Sequence, residues 1–241
     1  MEHQNFIDLL YNTFEENGMK DLLDDNSAEL LYRFAALLVE TNKHTNLTAI
    51  TDEKGIILKH FADSAAISRH IPQGAAVLDV GCGAGFPSVP LAIIRSDLAI
   101  TSLDSTGKKI DFVLSAKEKL GLENLNAVCA RAEEYAALNR ESFDVCTSRA
   151  VARLNVLSEL CVPFIKVGGL FVAMKSDKGA EEAKEAEEGI KKLGAAPTSV
   201  SLYSLTCEET AIDREIRIYK KTAPTPKQYP RKYSQILKKP L

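Results

Sequence analysis

The chain has 241 residues, 45% of them hydrophobic, which is enough to build a substantial core. Its net charge of −3 hides an asymmetry: Arg217 to Leu241 carries eight basic residues and no acid, and the remainder holds 22 basic against 33 acidic residues, a balance of −11. There is no apolar run near the roughly 18 residues of a membrane span, no basic-then-apolar leader, and no C-x-x-C or H-x-x-x-H spacing among the five cysteines and four histidines, so the expectation is a cytoplasmic protein with reduced thiols, no metal and no membrane.

Two helices are predicted first. Residues 6–16 carry Phe6, Ile7, Leu9, Leu10 and Phe14 at helical spacing. A stronger helix follows Ser27, read as its N-cap, with Leu30, Leu31, Phe34, Leu37 and Leu38 on one face. After the polar connection KHTNLTAIT, a third helix is predicted over 53–69. On it His60 and Asp63 lie three apart, either as a bonded pair facing a cleft or as a capping or packing pair. Residues 1–72 therefore read as an α-helical N-terminal extension.

From Ala75 the pattern changes. Strands are predicted at 75–81, 99–105, 125–134, 143–150 and 168–176. Helices are predicted at PSVPLAIIR, where proline falls early and is tolerated, and at 106–120, 155–166 and 178–193. Residues 199–205 and 214–221 read as a closing pair of strands. Strands alternating with helices predict an α/β fold over 73–222, a mostly parallel sheet with an antiparallel edge. Residues 223–241 form a basic C-terminal tail, which fits a polyanionic partner or a solvated terminus.

The first strand runs into VLDVGCGAGFP, with Gly81, Gly83 and Gly85 at every second position. A dinucleotide, a phosphate and S-adenosylmethionine (SAM) all use glycine-rich turns after a strand. The spacing here is G-x-G-x-G, one residue shorter than the dinucleotide fingerprint, with Asp79 two residues before the first glycine. That pattern suits SAM, whose binding needs no pyrophosphate at the helix N-terminus. Asp104, 19 residues past Gly85 at the end of the second strand, can accept from both ribose hydroxyls of an adenosine. Glu133, or the backbone at Ala132 and Glu133, is the candidate for the adenine end.

NLTAI, KHFADS, LDVGCGAGFPSVPLAI, RAE, SRAVARL, PRK and a terminal KKPL occur in that order over nearly the whole chain. This string of motifs resembles the bacterial small-subunit ribosomal RNA guanine-N7 methyltransferase family, also called glucose-inhibited division protein B. The resemblance implies a class I SAM-dependent methyltransferase fold, Rossmann-like with a seven-stranded sheet, SAM as methyl donor, and guanine N7 in 16S rRNA of the small ribosomal subunit as acceptor. It implies Gly81 and Phe86 at the SAM pocket, Ala132 and Glu133 at the adenine, and Arg149 where cofactor and substrate meet. The sequence departs from the family at Cys82, Ser88 and Ser176, and in PRKYSQILKKPL, which lacks the small turn residues usual after PRK.

Guanine N7 carries a lone pair and no proton, so methyl transfer to it needs positioning and no general base. Arg149 is accordingly read as an anchor to phosphate, guanine O6 or the methionine carboxylate. Lys59, Arg153, Lys175, Arg231 and Lys232 are the candidate RNA contacts, acting additively on phosphates. The tail is expected to serve RNA more than SAM, and a monomer is the expected state. A small-molecule SAM methyltransferase and a non-catalytic SAM- or nucleotide-binding scaffold are the alternatives; the loop spacing disfavours an NAD-dependent oxidoreductase.

Overall fold

The computed structural model describes residues 2–176 and 179–241. The start of the helix predicted over 178–193 lies outside them.

The chain begins with α1 (His3–Glu16) and α2 (Asp25–Thr45). The N-cap of α2 is Asp24 and not Ser27. Asp24 Oδ1 accepts from the Ser27 amide at 2.7 Å and Ser27 Oγ accepts from the Asp24 amide at 2.8 Å, a reciprocal capping box. The third predicted helix is shorter than expected and consists of α3 (Glu53–Gly55), a π-helical stretch Ile56–Ala62 and α4 (Asp63–Ala65).

The sheet follows: β1 (Ala76–Val80), α5 (Ser88–Ile94), β2 (Ala99–Asp104), α6 (Gly107–Leu120), β3 (Leu125–Cys129), α7 (Ala132–Asn139), β4 (Phe143–Arg149), α8 (Leu154–Cys161), β5 (Ile165–Lys175), α9 (Gly179–Lys192), β6 (Ala195–Cys207), β7 (Thr210–Lys221) and α10 (Tyr233–Lys238). The third strand had been read through Glu134. It stops at Cys129, because α7 begins at Ala132 with Glu133 and Glu134 in its first turn, where acids suit the helix dipole.

The strands form one seven-stranded sheet in the order β3-β2-β1-β4-β5-β7-β6. All neighbours are parallel up to β5; β7 pairs antiparallel with both β5 and β6. The order reverses at β1, which lies between β2 and β4, so a crevice opens there at the carboxyl ends of the strands.

Successive strand residues feed opposite faces, as the period of two demands. Val77, Val145 and Val172 join one core with α1, α2, α5 and α6. Leu78, Cys146 and Phe171 join the other with α8, α9 and Ile236 of α10. The helical segment 1–72 therefore shares its core with the sheet. Phe34 of α2 is the hinge of that packing, with ring centroids 5.9 Å from Phe61, 5.5 Å from Phe86 and 6.0 Å from Phe112.

The basic segment 223–241 is docked along much of its length. Arg140 donates to the carbonyls of Tyr229 and Thr225. Arg231 grips the carboxylate of Glu159, which is fully buried, with Nε 2.8 Å from Oε1 and its amide 2.8 Å from the same oxygen. The Arg231 side chain retains 23% exposure while Glu159 retains none, so the two partners differ in what they lose when parted. Arg231→Met strands a carboxylate in the core and should cost about 3 kcal/mol. Glu159→Gln lets the arginine swing to solvent and should cost less. Urea unfolding midpoints of the two variants compare them directly.

Candidate active site

The glycine loop after β1 is built from left-handed backbone: φ is +74° at Gly81, +58° at Gly83 and +87° at Gly85. A side chain at Gly81 would put its Cβ 2.3 Å from Val151 Cγ2, and one at Gly85 would put it 2.4 Å from Val89 Cγ2. The two glycines differ in purpose. Gly81 lets the loop after β4 lie across the strand end, whereas Gly85 lets the loop press onto α5.

Asp104, at the end of β2, ties the loop together. Its Oδ2 accepts from the Gly83 amide at 3.0 Å and its Oδ1 from the Thr106 amide at 2.8 Å. Lys109 Nζ stands 3.8 Å from Oδ2. Below the loop, Asp79 is buried; its Oδ2 accepts from the Ser88 amide at 3.2 Å and its Oδ1 has no partner among the described residues. Burial pushes the Asp79 carboxyl up to about 7.

Two cavities meet at Ala150 and Val151. The first, about 350 Å³, is the crevice at the strand ends, bordered by Gly81, Asp104, Ala132, Glu133, Val151 and Tyr233. The second, about 530 Å³, is bordered by Lys59, His60, Asp63, Arg149, Lys175 and Arg214. Ala150 has φ +55°, unusual for a residue with a Cβ, and this turn aims Val151 back over Gly81. A smaller cavity of about 210 Å³ lies beside the turn, with Gly81, Gly83, Phe86, Lys109 and Arg149 at its edge.

The second cavity is organised around Arg149. Its Nη1 donates to the Lys59 carbonyl at 2.7 Å and to Asp63 Oδ2 at 3.0 Å, and its Nη2 meets His60 Nδ1 at 3.2 Å. Its guanidinium lies 5.2 Å from the Phe86 ring centroid, a cation–π contact. Arg214 Nε donates to the other Asp63 oxygen at 3.0 Å. Because Arg149 has only donors, His60 Nδ1 is the acceptor, and His60 Nε2–H then donates to Thr48 Oγ1 at 3.0 Å. The imidazole stacks on Phe86 at 4.1 Å between centroids. Burial first, and then the Arg149 charge, lower the His60 pKa to about 3, so the ring is neutral at pH 7.

The sequence pattern of the family described as rRNA small subunit methyltransferase G matches residues 27–211. The chain belongs to this family. A relative from Staphylococcus carnosus (strain TM300), named ribosomal RNA small subunit methyltransferase G, is 45% identical over 224 residues, which is 91% of this chain and 92% of that protein. A relative of the same name from Lysinibacillus sphaericus (strain C3-41) is 44% identical over 236 residues, 96% of each chain. Among solved structures, TYW2 of M. jannaschii in complex with AdoMet aligns with a TM-score of 0.54 at 12% identity, over 66% of this chain and 75% of that one. A Burkholderia thailandensis 1,6-didemethyltoxoflavin-N1-methyltransferase aligns with a TM-score of 0.53 at 16% identity, over 80% and 90%. These two likenesses establish the class I fold.

Seen as a family member, the chain gathers some expected site residues and separates others. Gly81, Asp104, Ala132 and Glu133 do border one crevice. Gly83 is at the smaller cavity, and Gly85 lies against Val89 and Val113, where the absence of a side chain lets the loop fit on α5. Phe86 is buried beneath His60 and Arg149, and borders only the smaller cavity. His60 and Asp63 are joined through Arg149.

The expected RNA contacts divide similarly. Lys59 and Lys232 are exposed. Arg153 is exposed but forked onto Glu185 at 2.8 Å. Lys175 departs from the expectation: its side chain is 8% exposed and bound to Glu182 at 2.8 Å and to the Ala152 carbonyl at 2.8 Å, which holds the turn after β4 in place. Arg231 departs too, since its guanidinium is committed to Glu159. The sequence pattern gives no role to Arg214, and it marks Asp79 only as part of the loop pattern. An arginine within a strand carries no local signal that it will meet a carboxylate 151 positions earlier.

The His60 environment makes stability depend on pH. Unfolded, the imidazole takes a proton below about 6.5; folded, it does so only near pH 3. Acidification between these values therefore draws the protein toward the unfolded state. His60→Gln should remove that contribution, so the stability gap between the native chain and the variant shrinks as pH falls from 6.5 to 4. Urea midpoints at the two pH values read it.

Proposed function

We propose that the protein transfers the methyl group of SAM to N7 of a guanine in 16S rRNA of the small ribosomal subunit, in the cytoplasm. The observation that carries the reading is the meeting, at Ala150 and Val151, of a crevice edged by carboxylates with an open cavity edged by Lys59, Arg149 and Arg214. The printed names of the relatives support the same acceptor class.

The crevice residues fit SAM. Asp104 and Glu133 both border the crevice, and a carboxylate is the kind of acceptor that ribose hydroxyls and an adenine amino group need. Asp79 keeps an unpartnered oxygen beneath the loop. When bound, the cofactor supplies an electrophilic methyl on a sulfonium.

The second cavity fits an acceptor that gives up no proton. Its candidate bases are all committed: Asp63 lies between two arginines, His60 has both nitrogens bonded, and Glu182 is paired with Lys175. What they provide is a fixed guanidinium. Arg149 anchors the acceptor by charge and by planar hydrogen bonding, and the geometry supplies orientation. The cavity's cations suit the backbone of a single-stranded loop, where a base edge is free to turn inward.

Incubation with methyl-labelled SAM and either small subunits or naked 16S rRNA, followed by base mapping, should place label on a guanine N7. Label on another base or atom, or none despite SAM binding, would refute the assignment. Lys59→Ala should lower the slope of log Kd against log salt by about 0.7–0.9, the loss of one phosphate contact. Filter binding across a salt series measures that slope.

A further inference from the structure

The C-terminal segment lies against the crevice that the cofactor reading assigns to SAM. Tyr233 borders the same space as Asp104, Ala132 and Glu133. Its amide donates to Oε1 of Glu133 at 3.2 Å, so one carboxylate is shared between α7 and the tail. On one side of Tyr233, Arg231 is locked to buried Glu159; on the other, Ile236 is fully buried. The tyrosine is thus pinned at the crevice from both directions.

The rest of the crevice wall mixes aliphatic groups such as Leu103, Ala130 and Leu160 with the charged Asp104, Lys109, Arg131 and Glu133. Among the described residues bordering it, Tyr233 alone is aromatic. An adenine ring has two broad π faces, and a tyrosine ring is a surface of matching shape and chemistry. We propose that Tyr233 contacts the adenine ring of the cofactor, so that the C-terminal segment completes the SAM pocket. This rests on the reading of the crevice as the SAM site. It also gives a cofactor role to a segment whose basic sequence fitted a polyanionic partner or a solvated terminus, and whose departure from the family pattern falls at this tyrosine.

Calorimetric titration of the full chain with S-adenosylhomocysteine, and separately with adenosine, tests the proposal. Tyr233→Ala should weaken both ligands about tenfold, the scale of one base–aromatic stack. Tyr233→Phe should stay within about twofold, since the ring and not the hydroxyl makes the contact. Leu237→Ala, on the exposed side of the same helix, should change neither. Asp104→Ala reports on the cofactor reading itself. If Tyr233→Ala binds both ligands normally while Asp104→Ala fails, the role of Tyr233 is refuted and the SAM site stands. If Tyr233→Ala weakens S-adenosylhomocysteine but leaves adenosine unchanged, the contact is not with adenine and the proposal falls. If the native chain binds neither ligand, the cofactor reading fails and takes the proposal with it.

Discussion

The carboxylate of Asp63 is the point on which the site depends. It is 3% exposed and lies between Arg149 of β4 and Arg214 of β7. Those two contacts fasten the N-terminal helical segment to the sheet on the side where the cavities open. A buried carboxylate without cations would be strongly disfavoured, and losing one partner of such a pair typically costs about 3–5 kcal/mol. Each arginine is oriented in turn by what it must neutralise. Arg149 is thereby held in one orientation before any ligand arrives, and that prior fixing is what an acceptor without a transferable proton requires.

The same cluster joins the apolar core to the polar cavity. Phe86 stacks on His60 and sits under Arg149, while its other neighbours are Phe34 and Phe61. Aromatic packing between α2 and the glycine loop therefore sets the height of the guanidinium. The segment 1–72 behaves as one wall of the site. Its polar strings, NLTAI and KHFADS, supply Thr48, Lys59, His60 and Asp63 to that wall. The π-helical turn at Ile56–Ala62 carries Lys59 and His60, a local irregularity of the sort that often accompanies function.

Charge is handled differently at the two ends of the chain. The basic C-terminal segment looked like an arm reaching for a polyanion. Folded, Arg231 of that segment answers buried Glu159, and Lys221 at the end of β7, just before it, lies 3.4 Å from Glu141. Lys175, expected at phosphate, answers Glu182 and braces the turn that carries Val151. Lys232 and Lys59 keep their exposure. A count of basic residues overstated the charge available to RNA, because composition does not register which charges are already neutralised within the fold.

The sequence by itself determined the α/β class, the order of strands along the chain, the ligand class of the glycine loop and the family. The first three are legible because they rest on short-range rules, a strand's alternation, a helix's turn and the backbone freedom that G-x-G-x-G requires, whereas the family is legible from its ordered string of motifs. The place of Asp104 at a strand end was legible for the same short-range reason, whereas Glu133, read at the end of a longer strand, stands in the first turn of α7. Only the tertiary structure decided that Asp63 and Arg214 meet, that Gly85 serves packing, that Arg231 and Lys175 turn inward, and that Tyr233 arrives beside Glu133. Each of those is a contact between residues far apart in the chain. Which charge finds which partner there is settled by sheet order and burial, and neither is written in any local pattern.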